Sequence, residues 1–354
     1  MRSMNVSGTG SSLDDLLDES LTFDATTTRG LTNHLPMALV AKAGLGAPVS
    51  ELRRFSNRYA RRLAKVDSCS QDLTKTSWLR AVGLRDAYAD LFCFFENEVR
   101  ETGVEIVIRT YLGHLVPGIS GAAFHGVIRL AYSLDVDSPK RVAAALAYLA
   151  SSASELAPVD DVDPLTDDPE ELLTDMTADG AWASMPSMKL ISEEMKWVGA
   201  QPGFSLIASS LKVDEGTPRR LAQAALKVYA STNDFTALHG VTGMEALSRV
   251  RRFVDDTERF DRYSFQALAA AFATIGAPAV WSADQLAAAD SARDLSAEVV
   301  AQRAAWSDDE HVAKIVFTSQ RLYEREHDPL YLFVSERAVK NDASSHQALD
   351  PADA

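Results

Sequence analysis

Apolar residues recur every three or four positions along most of this chain, and this spacing is the signature of one-sided helices. "TNHLPMALVAKAGLG" reads as a helix with Asn33 as N-cap, Pro36 in the first turn, and Gly44 and Gly46 at its end. A second helix is predicted from about Ser50 to Val66. Leu52, Phe55, Tyr59 and Leu63 form its apolar face, and Arg53, Arg54, Arg58, Arg61 and Arg62 its solvated face. Leu84, Tyr88, Leu91 and Phe95 mark a third helix, closed by Gly103. "VEIVIRTYLGHLV" suits strand or helix by composition, and the continuing helical pattern favours helix. "ISGAAFHGVIRLAYSLD" and "SPKRVAAALAYLASSASEL" follow, and the stretches from "TPRRLAQAALKVYAS" to "DDEHVAKIVFTSQRLYER" keep the same period. No alternating strands and no fixed-period repeat occur. The expected fold is all-α, a compact multi-helix, bundle-like arrangement with a metal site between helices.

The polar stretches set the expected boundaries. Residues 1–24 are Ser/Gly/Asp-rich and read as a flexible N-terminal segment, and residues 339–354 as a flexible tail. Residues 25–338 read as one all-α catalytic domain. Its two helical halves are joined by the Pro/Asp-rich stretch near 158–179, which lacks calcium-loop spacing.

Charge narrows the partners. Lys plus Arg number 35 against 50 Asp plus Glu, a net −15 in 354 residues, and phosphate backbones and anionic membranes repel such a chain. No apolar run reaches the length of a membrane span, and the N-terminus lacks the pattern of a signal peptide. The only two cysteines, Cys69 and Cys93, are too few for a disulfide framework, with Cys93 expected to pack as a small apolar residue. The expected location is the cytoplasm.

Dinucleotide, P-loop, zincin and nucleophile-elbow motifs are all missing. The histidines remain. His327 and His346 sit in polar surroundings, and His114 lies near a Gly/Pro break. His34, His125, His239 and His311 each lie in an apolar stretch of a predicted helix. Two of them, His125 and His239, are followed by glycine. Imidazoles in a helical interior are how bundles hold metals, although any one such histidine is more often a core residue. An anionic oxygen would balance the metal's charge. Asp234, Asp308, Asp309 and Glu310 lie nearest in sequence, and Lys314, one turn after His311, is a further option. A buried neutral lysine can add carbon dioxide and become a carbamate, in effect a carboxylate.

These stretches resemble the questin oxidase-like family. The matching segments are "LTNHLPMALVAKAGLGAP" with "LRRFSNRYARRL", "PGISGAAFHGVIRLAYSLD", "DFTALHGVTGMEAL" and "DDEHVAKIVFTSQRLYERxxDPLY", where x marks Glu326 and His327. Fungal relatives carry "LHP" and "DFFLMH" flavours where this chain has "FHG" and "DFTALHG", so the resemblance is to the bacterial branch. It implies an oxygenase of aromatic polyketides of the anthraquinone or hydroquinone type, acting by oxidative C–C ring cleavage or Baeyer–Villiger-type oxygen insertion. It also implies Fe(II) held by His34, His125, His239, His311 and a carboxylated Lys314, with Lys227 as the fallback lysine. Tyr132, Arg129 and Asp234 are candidates for orienting the imidazoles. Phe92, Phe94, Phe124, Trp182, Trp197 and Phe235 are candidates for an aromatic pocket. The expected partners are a small aromatic substrate and dioxygen, with no nucleic acid and no membrane, and with a homo-oligomer left open. Two alternatives stand beside the iron oxygenase. One is a monooxygenase of the same substrates that is metal-free or assisted by NADPH through a partner reductase, with histidines as general bases. The other is a non-catalytic helical binding protein.

Overall fold

A computed structural model describes residues 12–159 and 162–342. The helices among them are α1 (Leu13–Ser20), α2 (Leu35–Gly44), α3 (Val49–Tyr59), α4 (Tyr88–Thr102), α5 (Val104–Leu115), α6 (His125–Ser133), α7 (Pro139–Ser152), α8 (Pro169–Asp179), α9 (Ile191–Gly199) and α10 (Phe204–Ser209). They continue with α11 (Thr217–Thr232), α12 (Phe235–Val250), α13 (Thr257–Thr274), α14 (Ala283–Ser291), α15 (Ala297–Trp306), α16 (Glu310–Glu326) and α17 (Leu330–Asn341). Two short antiparallel strands, β1 (Phe23–Thr27) and β2 (Leu63–Lys65), pair Phe23 with Lys65 and Thr27 with Leu63. The fold is all-α, and among the described residues no helix is long and apolar enough to cross a membrane.

The chain divides into two compact units. Unit 1 joins residues 1–67 to 292–354, and unit 2 is the continuous stretch 68–291. The division thus falls outside the Pro/Asp-rich segment 158–179. Asp168 caps α8 there by accepting from the Glu170 N–H at 2.9 Å, and Leu172, Leu173 and Met176 are buried. Part of the expected N-terminal flexible segment is also ordered. Ser12 and Asp15 form a capping box on α1, and Leu16 and Leu17 are buried. At the other end α17 extends to Asn341, and the remainder of the expected tail, His346 included, lies outside the described residues.

In unit 1, α2 packs on α3 and α16, and α16 packs on α15 and α17. Gly44 permits the close approach of α2 to α16, since a Cβ there would fall 2.3 Å from the Phe317 ring. The second helix is shorter than its pattern implies: α3 ends at Tyr59, and Leu63–Lys65 leave helical geometry to pair with β1. The arginine face of α3 is an ion-paired surface. Arg54 contacts Glu51 at 2.6 Å and Asp308 at 2.8 Å, Arg58 contacts Asp308 at 2.6 Å, and Arg53 pairs with Glu19. Beneath it, fully buried Lys42 pairs with Glu51 at 3.2 Å and donates to the Ser307 carbonyl at 2.7 Å. Burial pulls the Lys42 amine below the usual lysine range, against the opposing pull of Glu51.

In unit 2, α7 packs on α4 and α6, and α12 packs on α6, α11 and α13. The helix predicted to run through "ISGAAFHG" begins only at His125. Ala122, Ala123 and Phe124 occupy the left-handed region, with φ of 49°, 51° and 68°. Such a run in non-glycine residues costs roughly 1–2 kcal/mol per residue, so surrounding packing must hold it. Gly121 supplies one side of that packing, because a Cβ there would lie 2.0 Å from the Ser152 carbonyl oxygen. The cysteine expectation is corrected here. Cys69 and Cys93 are joined as a disulfide, which ties the segment before α4 to that helix, so Cys93 does not pack as a free apolar thiol. Asp90 supports the same join by accepting from the Ser70 and Gln71 N–H groups at 2.6 and 3.0 Å.

Gly121→Ala is expected to cost roughly 1–3 kcal/mol through overpacking against α7. Gly113→Ala on α5, where a Cβ meets nothing within 4 Å, is expected to add about 0.5–1 kcal/mol of stability. Urea unfolding of the two variants beside the wild type checks both, and equal midpoints would contradict the packing argument.

Candidate functional site

In unit 1, His34 stands immediately before α2 and His311 in the first turn of α16. His34 rather than Asn33 occupies the N-cap position and makes no capping bond with its ring. Asn33 instead accepts from the Leu35 N–H at 3.0 Å and donates to the Asp24 carbonyl at 2.8 Å. The His34 and His311 ring centroids are 4.7 Å apart, and each ring offers a nitrogen within 4.8 Å of the other's. Tyr59 serves His34 twice: its hydroxyl accepts the backbone N–H at 3.0 Å and lies 3.3 Å from Nδ1. Asp309 serves His311 in the same way, with Oδ1 2.8 Å from the backbone nitrogen and 3.1 Å from Nδ1. One carboxylate thereby caps α16 and orients its imidazole. The position of Asp309 follows from its neighbours, since Lys42 holds the Ser307 carbonyl while Arg54 and Arg58 hold Asp308. Glu310 lies 4.0 Å from His34 Nδ1 and 3.7 Å from Arg62.

In unit 2, His125 opens α6 and His239 lies on α12, with ring centroids 4.7 Å apart and ligand nitrogens within 4.8 Å. His125 Nδ1 is 2.5 Å from the Ala122 carbonyl, the first residue of the left-handed run. His239 Nδ1 is 2.7 Å from the Phe235 carbonyl, one turn back on its own helix. The two glycines after these histidines differ in role. A Cβ at Gly126 would lie 2.9 Å from the Leu149 Cα, so α7 itself makes the close approach, whereas Gly240 has ordinary contact room. Gly243 on α12 seats the Phe124 ring, 2.6 Å from where its Cβ would be.

The four imidazoles share one chemical feature. Each Nδ1 faces an oxygen, from Tyr59, Ala122, Phe235 or Asp309. A carbonyl or carboxylate can only accept, so at His125, His239 and His311 Nδ1 carries a ring proton, and in the neutral ring Nε2 then carries the lone pair. At His34 the Tyr59 hydroxyl, which can also accept, suits the same tautomer. This is how proteins prepare imidazole for a metal. Burial, reinforced by the nearby Lys314 charge, holds the His311 imidazole below its usual pKa despite the pull of Asp309 and Glu310, so it is neutral at neutral pH. Partial burial pushes the Asp309 carboxyl up, but the His311 hydrogen bonds outweigh it and keep it below the usual carboxylate range.

Lys314, one turn after His311, is fully buried, and its Nζ has no hydrogen-bond partner among the described residues. Burial pulls its pKa down to about 8, more strongly than Glu310 and Asp309 raise it. A donor set of imidazoles with a buried, depressed amine fits a divalent transition metal.

Asp234 is occupied as the N-cap of α12, accepting from the Thr236 and Ala237 N–H groups at 2.6 and 3.3 Å. Tyr132 is buried on α6. Lys227 is ion-paired with Glu170 at 2.7 Å and partly exposed, which removes the reason to consider it a ligand. His114 rests against Trp78 at the surface, and His327 is exposed at the end of α16. Among the aromatics, Phe92, Phe94, Phe124 and Trp182 are core residues, Trp197 is partly buried, and Phe235 is 53 % exposed beside His239. The sequence reading missed Tyr59 and the Ala122 and Phe235 carbonyls as orienting groups. No residue-type signal could reveal a carbonyl, although the i−4 position of Phe235 on a helix was available.

Residues 31–318 match the model of a protein family described as questin oxidase-like. No curated protein matches the chain significantly.

In chelator-treated protein, Lys314→Met is expected to raise stability near pH 7 by about 3 kcal/mol, from the depressed amine. Below pH 8 the wild type carries a buried charge when folded, and the cost is fully present. Between about 8 and the unfolded value the unfolded chain binds a proton the folded one has released, so wild-type stability rises with pH. The gain from the variant should therefore fade toward pH 10. Urea unfolding across this range checks it, and a pH-independent difference would show that this amine does not titrate as described.

Proposed function

Because the chain belongs to the questin oxidase-like family, we propose that it is a non-haem iron oxygenase of aromatic polyketides, cleaving a ring C–C bond or inserting oxygen beside a carbonyl. The family suggests an oxidoreductase, an oxygenase of aromatic polyketides. The iron, its ligands and the reaction are our reading. His34, His125, His239 and His311 would hold the metal through Nε2, and Lys314 would join them as its carbamate. The observation that carries this reading is the set of oxygen partners at all four Nδ1 atoms. Four histidines that all turn Nδ1 to an oxygen and leave Nε2 as the shared ligand atom support a ligand set, since metal-bound imidazoles are oriented in this way.

When bound, Fe(II) supplies the activation of dioxygen that aromatic C–C cleavage requires. The residues do the rest. Asp309 keeps His311 in its ligating tautomer, and the strained Ala122 carbonyl does so for His125. Lys314, at a pKa of about 8, exposes its neutral amine to carbon dioxide. The nitrogen lone pair forms an N–C bond, one C–O π pair moves onto oxygen, and the ammonium proton leaves to solvent. The resulting anionic oxygen supplies the charge that four neutral imidazoles leave unbalanced. A small aromatic substrate, dioxygen and carbon dioxide are the partners that ring cleavage needs, since both oxygen atoms then enter the product and the substrate supplies the four electrons that reduce them. Insertion of a single oxygen also needs a two-electron reductant, which carries the second oxygen off as water.

Elemental analysis of wild type, His311→Ala and Lys314→Ala, each purified without chelating resin, tests the reading. About one iron per chain is expected in the wild type, with loss in both variants that remain folded. Retention of iron in Lys314→Ala would remove the lysine from the ligand set, and metal-free wild type after anaerobic ferrous incubation would reject the oxygenase reading. Asp309→Ala is expected to weaken iron binding by about 10–100-fold through loss of orientation. A competition titration with a ferrous chelator measures that loss, and unchanged affinity would place the orienting role elsewhere.

A further inference from the structure

A buried cation in unit 2 lacks a counter-charge among the described residues. Arg129 lies on α6, four residues after His125, and only 3 % of it is exposed. Its guanidinium lies 5.9 Å from the ring centroid of Tyr88 at the start of α4 and 5.6 Å from that of Tyr148 on α7. Its two terminal nitrogens have no hydrogen-bond partner among the described residues. An uncompensated buried ion is costly, and two tyrosine faces return only a part of that cost. The buried carboxylates among the described residues of unit 2 face other groups. Asp90 serves Ser70 and Gln71, Glu98 serves Tyr111 and Lys75, Glu245 lies by Arg249, and Asp261 pairs with Arg251.

We propose that Arg129 anchors an anionic oxygen pair of the aromatic substrate, a carboxylate or an ionised phenol with its neighbouring carbonyl. This rests on the oxygenase reading for the identity of the ligand. The guanidinium offers two terminal nitrogens in a planar fork, the geometry that meets paired oxygens bidentately. The two tyrosines suit a flat ring system. Arg129 shares a helix face with His125, about 6 Å further along the axis. An oxygen held there sets which carbon of a fused aromatic system stands near that histidine. Arg129 is thus a specificity-determining, positioning residue and no ligand to metal.

The test is calorimetric binding of salicylate, methyl salicylate and a dihydroxyanthraquinone to the full chain after anaerobic ferrous incubation, with iron content measured on the same samples. Wild type is expected to bind salicylate or the anthraquinone. Arg129→Met should weaken that binding by about tenfold or more, the loss expected for a charged hydrogen bond, with iron content unchanged. Arg129→Lys keeps the charge, loses the fork, and should fall between. Preference for salicylate over its ester supports a carboxylate, and Arg129 dependence confined to the anthraquinone supports the phenolate. Folded wild type that binds none of the three overturns the anchor, as does Arg129→Met that binds like wild type. Should Arg129→Met fail to fold, Arg129→Lys decides, and unchanged affinity in it overturns the proposal. A chain without iron that still shows Arg129-dependent binding separates the two readings, because the anchor then stands and the iron site falls.

Discussion

An imidazole has two ring nitrogens, and in its neutral form only one can offer a lone pair. Which one it offers depends on what the other nitrogen touches. In this chain that constraint has four different solutions: a phenol hydroxyl at His34, two backbone carbonyls at His125 and His239, and a carboxylate at His311. Each solution needs its own support. Tyr59 stands at the very end of α3, just before the chain leaves helical geometry for β2. The Ala122 carbonyl reaches His125 because three residues run left-handed against a glycine-lined contact with α7. The Phe235 carbonyl is reached within one helix turn.

The support for His311 extends furthest. A fully buried Lys42–Glu51 pair fixes α2 to α3, and the same ammonium holds the Ser307 carbonyl. Arg54 and Arg58 then secure Asp308, leaving Asp309 to cap α16 and hold the ring. Removing one partner from a buried pair of this kind is far more costly than never having had it, because the other charge stays behind. The arginine-rich face that composition assigns to solvent is therefore part of what aims an imidazole. The depressed amine of Lys314 follows from the same helix, whose burial excludes water from Nζ while placing it one turn from His311.

Lys314 and Arg129, buried cations whose terminal nitrogens have no hydrogen-bond partner among the described residues, invite different chemistry. An amine can shed its proton and become a nucleophile toward carbon dioxide; a guanidinium keeps its charge and can only be matched by an anion. Both sit one helical turn from a histidine of the proposed set, at i+3 and i+4. Local helical geometry therefore couples a ligand to its companion in each case.

Helical periodicity, proline at first turns and glycine at helix ends were enough to read an all-α chain, because these patterns are local and each turn reports its own buried side. The candidate histidines were legible for the same reason, as polar rings in apolar stretches. Residue type and spacing also carried the pairing of His311 with Lys314. The sequence could not show that Leu63–Lys65 would leave a helical pattern to join β1, since strand pairing depends on a partner some forty residues away. Nor could it show the Cys69–Cys93 bond, because two cysteines acquire a distance only in the fold. It could not place the boundary of the compact units, which joins residues before 68 to residues after 291 in one unit. Above all it could not assign tautomers or orphaned charges. Carbonyls have no letter in a sequence, and a missing counter-ion becomes visible only when every neighbour has taken its place.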